Sequence, residues 1–380
     1  NGEGSSVDEE LQMHLGGISE ILFFLMGAMT IIELIDIHQG FDVITNRIRT
    51  TNKRKLLWIV SLLTFFLSSL LDNLTTAIVM VSLLSKLIED KKERMFYAGL
   101  IIVASNAGGA WSPIGDVTTT MLWIGGQITT QNIILKLFIP SLTCLIVPLI
   151  YLSFKMKGNL PEKEFDKKSA KKEEKVKGSR LILFAGVGAL VLVPVFKTIT
   201  HLPPYMGMLF GLSMVWVLSE VIHFNKDEAS KKPFSAAHAL SRIDAASVLF
   251  FLGILLSVSA MEAAGVLNEL SQWMDKTVGN LDLIVLSFGV LSSIVDNVPL
   301  VAATMGMYPL TEFPADHSLW EFTAYCAGTG GSLLIIGSAS GVAVMGMAKI
   351  NFIWYLKKIS LLALLGYLSG AAMFLLMNKM

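Results

Sequence analysis

Long apolar runs dominate the hydrophobic pattern of the chain, and polar residues cluster between them. Six runs reach or approach the ~20 residues that a helix needs to cross a bilayer. Hydrophobic residues make up 53% of the 380 positions and charged residues only 16%, whereas a soluble domain is about a quarter charged. The pattern therefore predicts an all-α polytopic membrane protein, with spans at about 17–38, 131–154, 181–197, 204–223, 244–262 and 359–377.

One charged stretch, residues 155–180, interrupts the apolar pattern. It holds ten basic and five acidic residues, which is typical of a solvated linker. A polar N-terminal segment, residues 1–16, precedes the first apolar run, and we expect disorder over 1–13. The predicted organisation is therefore this segment, a first half at 17–154, a charged linker, and a second half at 181–380.

The basic residues indicate an orientation. Of the 30 Lys and Arg residues, 26 fall in five loops, at 39–56, 86–95, 155–180, 224–243 and 349–358. The positive-inside rule makes these loops cytoplasmic. The first two share one side although the apolar segment 56–86 lies between them. That segment is therefore predicted to be a re-entrant helical hairpin with its tip in SSLLDNLTT, residues 68–76.

The hairpin sequence recurs in the second half of the chain. SSLLDNLTT matches SSIVDNVPL at 292–300, and NAGGAWSPIGDVT at 106–118 matches GTGGSLLIIGSAS at 328–340. In the block at 106–118, glycines and Pro113 break the predicted helix. Non-helical backbone at membrane depth must face protein or a polar cavity. With the charge pattern, this predicts two inverted-topology repeats, the architecture of secondary transporters. Each repeat has a re-entrant hairpin (56–86 and 281–307) and a broken transmembrane helix (96–125 and 321–347).

The polar groups of these motifs indicate a cation as solute. The regions 62–85, 100–124, 285–305 and 325–347 contain no Lys, Arg or His but hold three carboxylates. A buried carboxylate needs a proton or a cation, and oxygen ligands suit Na⁺ or Li⁺. The candidate ligands are Asp72, Asp116, Asp296, Asn73, Asn297, Thr75, Thr118, Thr119, Ser292, Ser332 and Ser338, with Na⁺ expected at Asp72, Asn73, Asp116, Asp296 and Asn297.

Other residues receive simpler interpretations. Glu33 and Asp244 are candidates for a proton path, although Asp244 is also placed to cap a helix. The six histidines fall in loops or at helix ends, where we expect solvent exposure. Two cysteines within apolar runs predict neither a disulfide nor a zinc site. No cofactor is expected, and a net charge of zero gives no reason to expect a nucleic acid partner.

The quoted motifs resemble those of the NhaD-type sodium/proton antiporters. These belong to the ion transporter superfamily, which also holds arsenite permeases and divalent-anion/sodium symporters. The resemblance covers residues 17–377 and is most specific in GGAWSPIGDVTT. It implies Na⁺ or Li⁺ exchange for H⁺ by alternating access, and a homodimer. The resemblance also implicates Ser68 and Asn106, in addition to the candidate ligands named above, and it includes Asp244 among the functional residues. The symporters carry a neutral Ser-Asn-Thr where this chain has Asp-Asn, which favours the antiporters.

Two other functions were weighed against exchange. A permease for arsenite, or a sodium-coupled anion symporter, remains the alternative, because the lack of basic residues disfavours an anion but not a neutral oxyacid. A membrane enzyme is disfavoured, since GSASG at 337–341 lacks the glycine spacing of a serine nucleophile and a histidine at membrane depth. The expected location is a bacterial inner membrane, or a plastid envelope in a eukaryote. Repeat alignment also predicts two further helices, beginning roughly 50 residues before Asn1.

Overall fold

The chain folds almost entirely into α-helices. The computed structural model describes residues 3–45, 48, 50–160 and 176–379, including side chains except those of residues 3–11, 13 and 45. Within these residues there are nineteen α-helices and one 3₁₀ helix at Lys232–Phe234. The α-helices are α1 (Glu3–Ile37), α2 (Asp42–Thr45), α3 (Lys53–Leu71), α4 (Asn73–Leu87), α5 (Lys91–Gly109), α6 (Val117–Ile124), α7 (Thr130–Lys155), α8 (Ser179–Thr200), α9 (Pro204–Ile222), α10 (Glu228–Lys231), α11 (Ala236–Arg242), α12 (Ala245–Ala263), α13 (Val266–Thr277), α14 (Leu281–Leu291), α15 (Asn297–Met307), α16 (Ser318–Gly330), α17 (Ala339–Ala348), α18 (Phe352–Lys358) and α19 (Ser360–Lys379).

Seven helices in the described part of the chain are long and apolar enough to cross a membrane. They are α1 over His14–Ile37, α3, α7, α8, α9, α12 and α19, and the bent pair α17–α18, with an angle of 110°, could add an eighth span. The six predicted runs all fall on these helices, so the prediction of an all-α polytopic membrane protein is confirmed. Most of the predicted linker, residues 161–175, lies outside the described residues. In contrast to the disorder expected over 1–13, α1 begins at Glu3.

Helices α3 and α4 form a hairpin whose tip is Asp72. This residue ends α3 and begins α4 with a φ of 89°, a left-handed conformation that non-glycine residues adopt only when their surroundings hold them there. The open ends of the hairpin lie together. Lys53 at the start of α3 pairs with Glu93 at the start of α5, and the Tyr97 hydroxyl donates to the Lys53 carbonyl at 2.7 Å. Re-entry of this hairpin into one face of a membrane stays a prediction.

Helices α5 and α16 each pack directly on the backbone of a hairpin helix. A Cβ on Gly108 of α5 would lie 2.2 Å from the Phe65 carbonyl oxygen, and one on Gly330 of α16 would lie 1.9 Å from that of Gly289. Only glycine allows so close an approach.

Matching hydrogen bonds tie the same helices together. Ser68 donates to the Ser105 carbonyl at 2.6 Å, and Ser292 donates to the Ala327 carbonyl at 2.9 Å. The two donors, Ser68 and Ser292, are 224 positions apart, and the two acceptors, Ser105 and Ala327, are 222 positions apart. These are the offsets between the matched blocks of the sequence repeat. The halves also interlock, because α17 packs on α4 and α15 packs on α6. The two sequence blocks thus share these contacts, while their inverted placement in a membrane stays a prediction.

Candidate functional site

Asp72 caps the N-terminus of α4, at the tip of the hairpin. Its carboxylate accepts from the Thr75 backbone N–H at 2.7 Å and from the Thr75 hydroxyl at 2.9 Å. A carboxylate at a helix N-terminus is stabilised by the unpaired N–H groups and the helix dipole. The sequence therefore produces a helix start at this point in an apolar run, and this start places a carboxyl group inside the protein.

Asp116 plays the same part at the break between α5 and α6. Its Oδ1 accepts from the Thr118 backbone N–H at 2.9 Å and from the Thr118 hydroxyl at 2.8 Å. Its Oδ2 accepts from the Asn73 amide at 2.5 Å. Asn73 adjoins Asp72, so the hairpin tip and the helix break meet through this contact. Asp116 is 2% exposed, and a buried carboxylate of this kind requires such donors.

Asn106 connects these groups to the second broken helix. Its Oδ1 accepts from the Asn73 amide at 3.1 Å and from the Ser340 hydroxyl at 2.9 Å. Its amide donates to Ser332 and Ser338, both at 3.0 Å. All of these side chains are buried. One asparagine on α5 therefore joins the hairpin tip to the α16–α17 break.

A cavity opens beside this network. It is lined by Asp72, Asn73, Thr75 and Asp116, by apolar residues of α1, α8 and α9, and by Ser247 and Phe251 of α12. Its lining contains no basic side chain. Its lining does contain two carboxylates, those of Asp72 and Asp116. Since like charges repel strongly where solvent is scarce, this arrangement favours cations or protons over an anion.

The predicted ligands fall into three sets in the structure: those in or beside the network, those bonded to backbone carbonyls, and those at the start of α15. The network joins Asn73, Asn106, Asp116, Thr118, Ser332 and Ser338, and Asp72 with Thr75 lies beside it. The hydroxyls of Ser68, Ser292 and Thr119 instead donate to backbone carbonyls. Asp296 caps α15, accepting from the Val298 N–H at 3.5 Å, and Asn297 is buried at the start of that helix. The assignment of any of these residues as ligands stays a prediction.

Sequence reasoning missed Ser340, which bridges Asn106 and Ser338. The repeat offset of 222 relates Ser340 to Thr118, as it relates Ser338 to Asp116. This pair, two positions beyond Asp116 and Ser338, is the last of the quoted motif, so the alignment already contained the signal.

The two candidates for a proton path lie at the edge of the site. Glu33 pairs with Arg242 of α11 at 2.6 Å. Asp244 caps α12 and accepts from the Ser247 hydroxyl at 2.5 Å, and these hydrogen bonds hold the pKa of Asp244 below its ordinary value. Because Ser247 lines the cavity, Asp244 lies close to that end of the lining. Their part in proton movement stays a prediction.

Two histidines depart from the expected exposure. His38 and His223 are 0% and 2% exposed, and their Nε2 atoms lie 3.2 Å apart. The ring of His223 stacks on Phe234 with centroids 4.3 Å apart. Burial, together with the charge of Lys226, lowers the pKa of His223 to about 4. The expectation failed because α9 and the 3₁₀ helix fold over the end of α1, which local sequence does not reveal.

Comparison with known proteins places these observations in a family. A model described as citrate transporter matches residues 9–323. Sodium/proton antiporter 1 of Arabidopsis thaliana is 52% identical over 372 residues, covering 98% of this chain and 64% of that protein. Sodium/proton antiporter 2 of the same plant is 47% identical over 378 residues, covering 97% and 88%. The Na⁺/H⁺ antiporter NhaD of Vibrio parahaemolyticus is 32% identical over 383 residues, covering 94% and 90%. The chain thus spans less than two thirds of the first relative.

Proposed function

This chain belongs to the citrate transporter family and, within it, to the NhaD-type sodium/proton antiporters, and we propose that it exchanges Na⁺ or Li⁺ for H⁺. It is an integral multi-pass membrane protein, so its substrates must pass through the protein interior. The relatives' names supply the substrates of the proposal. The observation that carries it in this chain is the Asp72–Asn73–Asp116–Asn106 constellation beside a cavity.

The hydrogen-bond pattern leaves ligand oxygens for a cation. The Asn73 amide nitrogen donates to both Asp116 and Asn106, which leaves its oxygen without a donor among the described residues. The hairpin tip adds the carboxylate of Asp72, which faces the cavity. Carboxylate and amide oxygens are hard ligands suited to Na⁺ and Li⁺.

Competition for the carboxylates couples the two ions. A buried carboxylate is stable when protonated or paired with a cation and costs several kcal/mol when it is charged and unpaired. Low pH therefore fills the site with protons, and high Na⁺ displaces them. In the proposed alternating-access cycle the proton-loaded and Na⁺-loaded states reorient, whereas the empty charged state does not. Coupling follows from that difference.

The cavity provides a route from the site towards the predicted cytoplasmic side. It runs from Asp72 and Asp116 along α1 to Ser247, beside the anionic Asp244. The loop that precedes α12 is cytoplasmic by the distribution of basic residues. An anion at the mouth of the route raises the local concentration of cations.

The substrate test uses the purified chain in proteoliposomes that contain a pH-sensitive dye. Na⁺ and Li⁺ added outside should drive proton release from the lumen, whereas K⁺ and arsenite should not. Arsenite accumulation without a Na⁺-driven pH change would instead establish the permease. Protein-free liposomes give the leak rate.

A further inference from the structure

A basic cavity lies between the start of α3 and the end of α7, at the opposite end of α3 from Asp72. Its lining is Asn52, Arg54, Lys55, Met156, Lys157 and Gly158, with three cations and no acid. Arg54, Lys55 and Lys157 are exposed, and none of them forms an ion pair within the described residues. Three like charges around one space repel each other, so an anion bound there would stabilise the arrangement.

Backbone contacts fix the walls of this cavity. Asn52 and Asn159 form an antiparallel bridge. The Leu160 N–H donates to the Thr51 carbonyl at 2.8 Å, and the Lys53 N–H donates to the Gly158 carbonyl at 3.2 Å. The segment after α7 is therefore held against the start of α3, and the cavity is formed before any ligand binds.

The charges at the start of α3 oppose the helix dipole. Cations are unfavourable near a helix N-terminus, where the dipole is positive. The first turn of α3 contains Lys53, Arg54 and Lys55 and no acid. Glu93 neutralises Lys53, but Arg54 and Lys55 have no such partner among the described residues. A bound anion would offset both these cations and the dipole.

An apolar surface adjoins the basic cavity. Ile59 of α3 and Ile150 and Phe154 of α7 are 42%, 47% and 75% exposed. Between them, the Trp58 indole donates to Ser153 at 2.7 Å, and tryptophan is enriched where hydrocarbon meets headgroups. The cavity thus lies where the lipid-facing surface ends, on the predicted cytoplasmic side.

We propose that this cavity, the basic lipid pocket, binds the phosphate of an anionic glycerophospholipid. Arg54, Lys55 and Lys157 surround the phosphate, and the acyl chains lie along the exposed apolar side chains of α3 and α7. Basic pockets at the cytoplasmic ends of membrane helices suit such headgroups. Because a free anion would not contact the apolar surface, the surroundings favour a lipid as the source of the phosphate. The proposal is independent of the exchange reaction.

The test measures lipid binding to the purified full chain in neutral detergent. Fluorescent phosphatidylglycerol and phosphatidylcholine with identical acyl chains are titrated, and anisotropy gives the dissociation constants. Wild-type protein should bind phosphatidylglycerol at least tenfold more tightly. The triple variant Arg54→Gln, Lys55→Gln, Lys157→Gln should lose this preference. Lys157→Gln alone, in an exposed segment, should weaken it about fivefold, which corresponds to about 1 kcal/mol per basic residue.

A matched variant separates the pocket from net charge. Lys349→Gln, Lys357→Gln, Lys358→Gln removes three exposed cations from another predicted cytoplasmic loop and should keep the preference. Equal binding by the wild type and the pocket variants would overturn the proposal, as would equal losses in the pocket and control triples. Inorganic phosphate that displaces the lipid at comparable concentration would identify a free-anion site and overturn the lipid assignment.

Discussion

The two broken helices have the same framework but different chemistry. In each, the residue that begins the second helical segment caps it, Asp116 for α6 and Ser338 for α17. A glycine before each break touches a hairpin backbone. Yet the equivalent positions differ in chemistry. Asp116 of the first break corresponds to Ser338 of the second, and Asn106 corresponds to Gly328. The framework thus recurs in both halves, whereas the carboxylate is confined to the first break.

The largest expected effect comes from removing that charge. Asp116→Asn keeps the size and most hydrogen bonds of the side chain, but it can neither take up a proton nor neutralise Na⁺. Na⁺-driven proton flux in proteoliposomes should fall to that of protein-free liposomes. Ser338→Ala, the counterpart change, removes the hydrogen bonds with Asn106 and Ser340 and the side-chain cap of α17 but no charge. It should keep flux and raise the half-saturating Na⁺ concentration about tenfold.

A flux in Asp116→Asn near that of wild type, with the same pH profile, would show that the two breaks do not differ in function. Thermal stability must be measured beside flux, so that loss of exchange is not loss of fold.

A smaller effect is expected from cutting the link between the halves. Asn106→Ala removes the hydrogen bonds to Asn73, Ser332, Ser338 and Ser340 at once, and loss of several such bonds predicts about a tenfold to hundredfold rise in half-saturating Na⁺. Ser293→Ala is the control and should leave the value unchanged, because the Ser293 hydroxyl donates only to the nearby Val290 carbonyl of α14. An unchanged value for Asn106→Ala would mean that the network is structural.

The shared framework predicts matching losses of stability. Gly108→Ala and Gly330→Ala each place a methyl group against a backbone carbonyl, and overpacking of this kind costs about 1–3 kcal/mol. Both variants should melt several degrees lower. A thiol-reactive dye can follow unfolding through the buried Cys144 and Cys326. Gly253→Ala, where a Cβ has open space, should melt no lower than wild type.

If only one of the two glycine variants were destabilised, the halves would not share the framework that their contacts indicate.

The smallest effect concerns the buried histidines. The pKa of His223 is lowered to about 4, so the folded state holds this ring neutral while the unfolded chain protonates near pH 6.5. Its contribution to stability is therefore present above pH 6.5 and is lost as pH falls towards 4. Wild type should lose melting temperature across that range. His223→Gln should melt lower at pH 7 and show a smaller fall between pH 7 and 4, and an identical fall would contradict the assignment.

The sequence predicted the features that depend on periodicity and repetition. Apolar runs located the spans, and the DN and glycine-rich motifs located the hairpin tip at Asp72 and the break at Asp116. Each of these depends on local backbone chemistry, because a polar cap favours the start of a helix and clustered glycines weaken one.

Contacts between distant segments were not predictable in the same way. Asn106 reaches Ser338 and Ser340 across 232 and 234 positions, and His38 meets His223 across 185. The hydrophobic pattern predicts which face of a helix is buried, but it does not predict which other helix packs against that face.

The central claim is that Na⁺ and H⁺ compete for these buried carboxylates. The most direct test is the half-saturating Na⁺ concentration for proton flux in wild-type proteoliposomes, measured over a series of pH values. Competition for one shared proton predicts a rise of about tenfold per unit as pH falls below the apparent pKa of the site, with an unchanged maximal rate. A half-saturating concentration that stays constant while the maximal rate falls would contradict the account, because proton and cation would then bind at separate places.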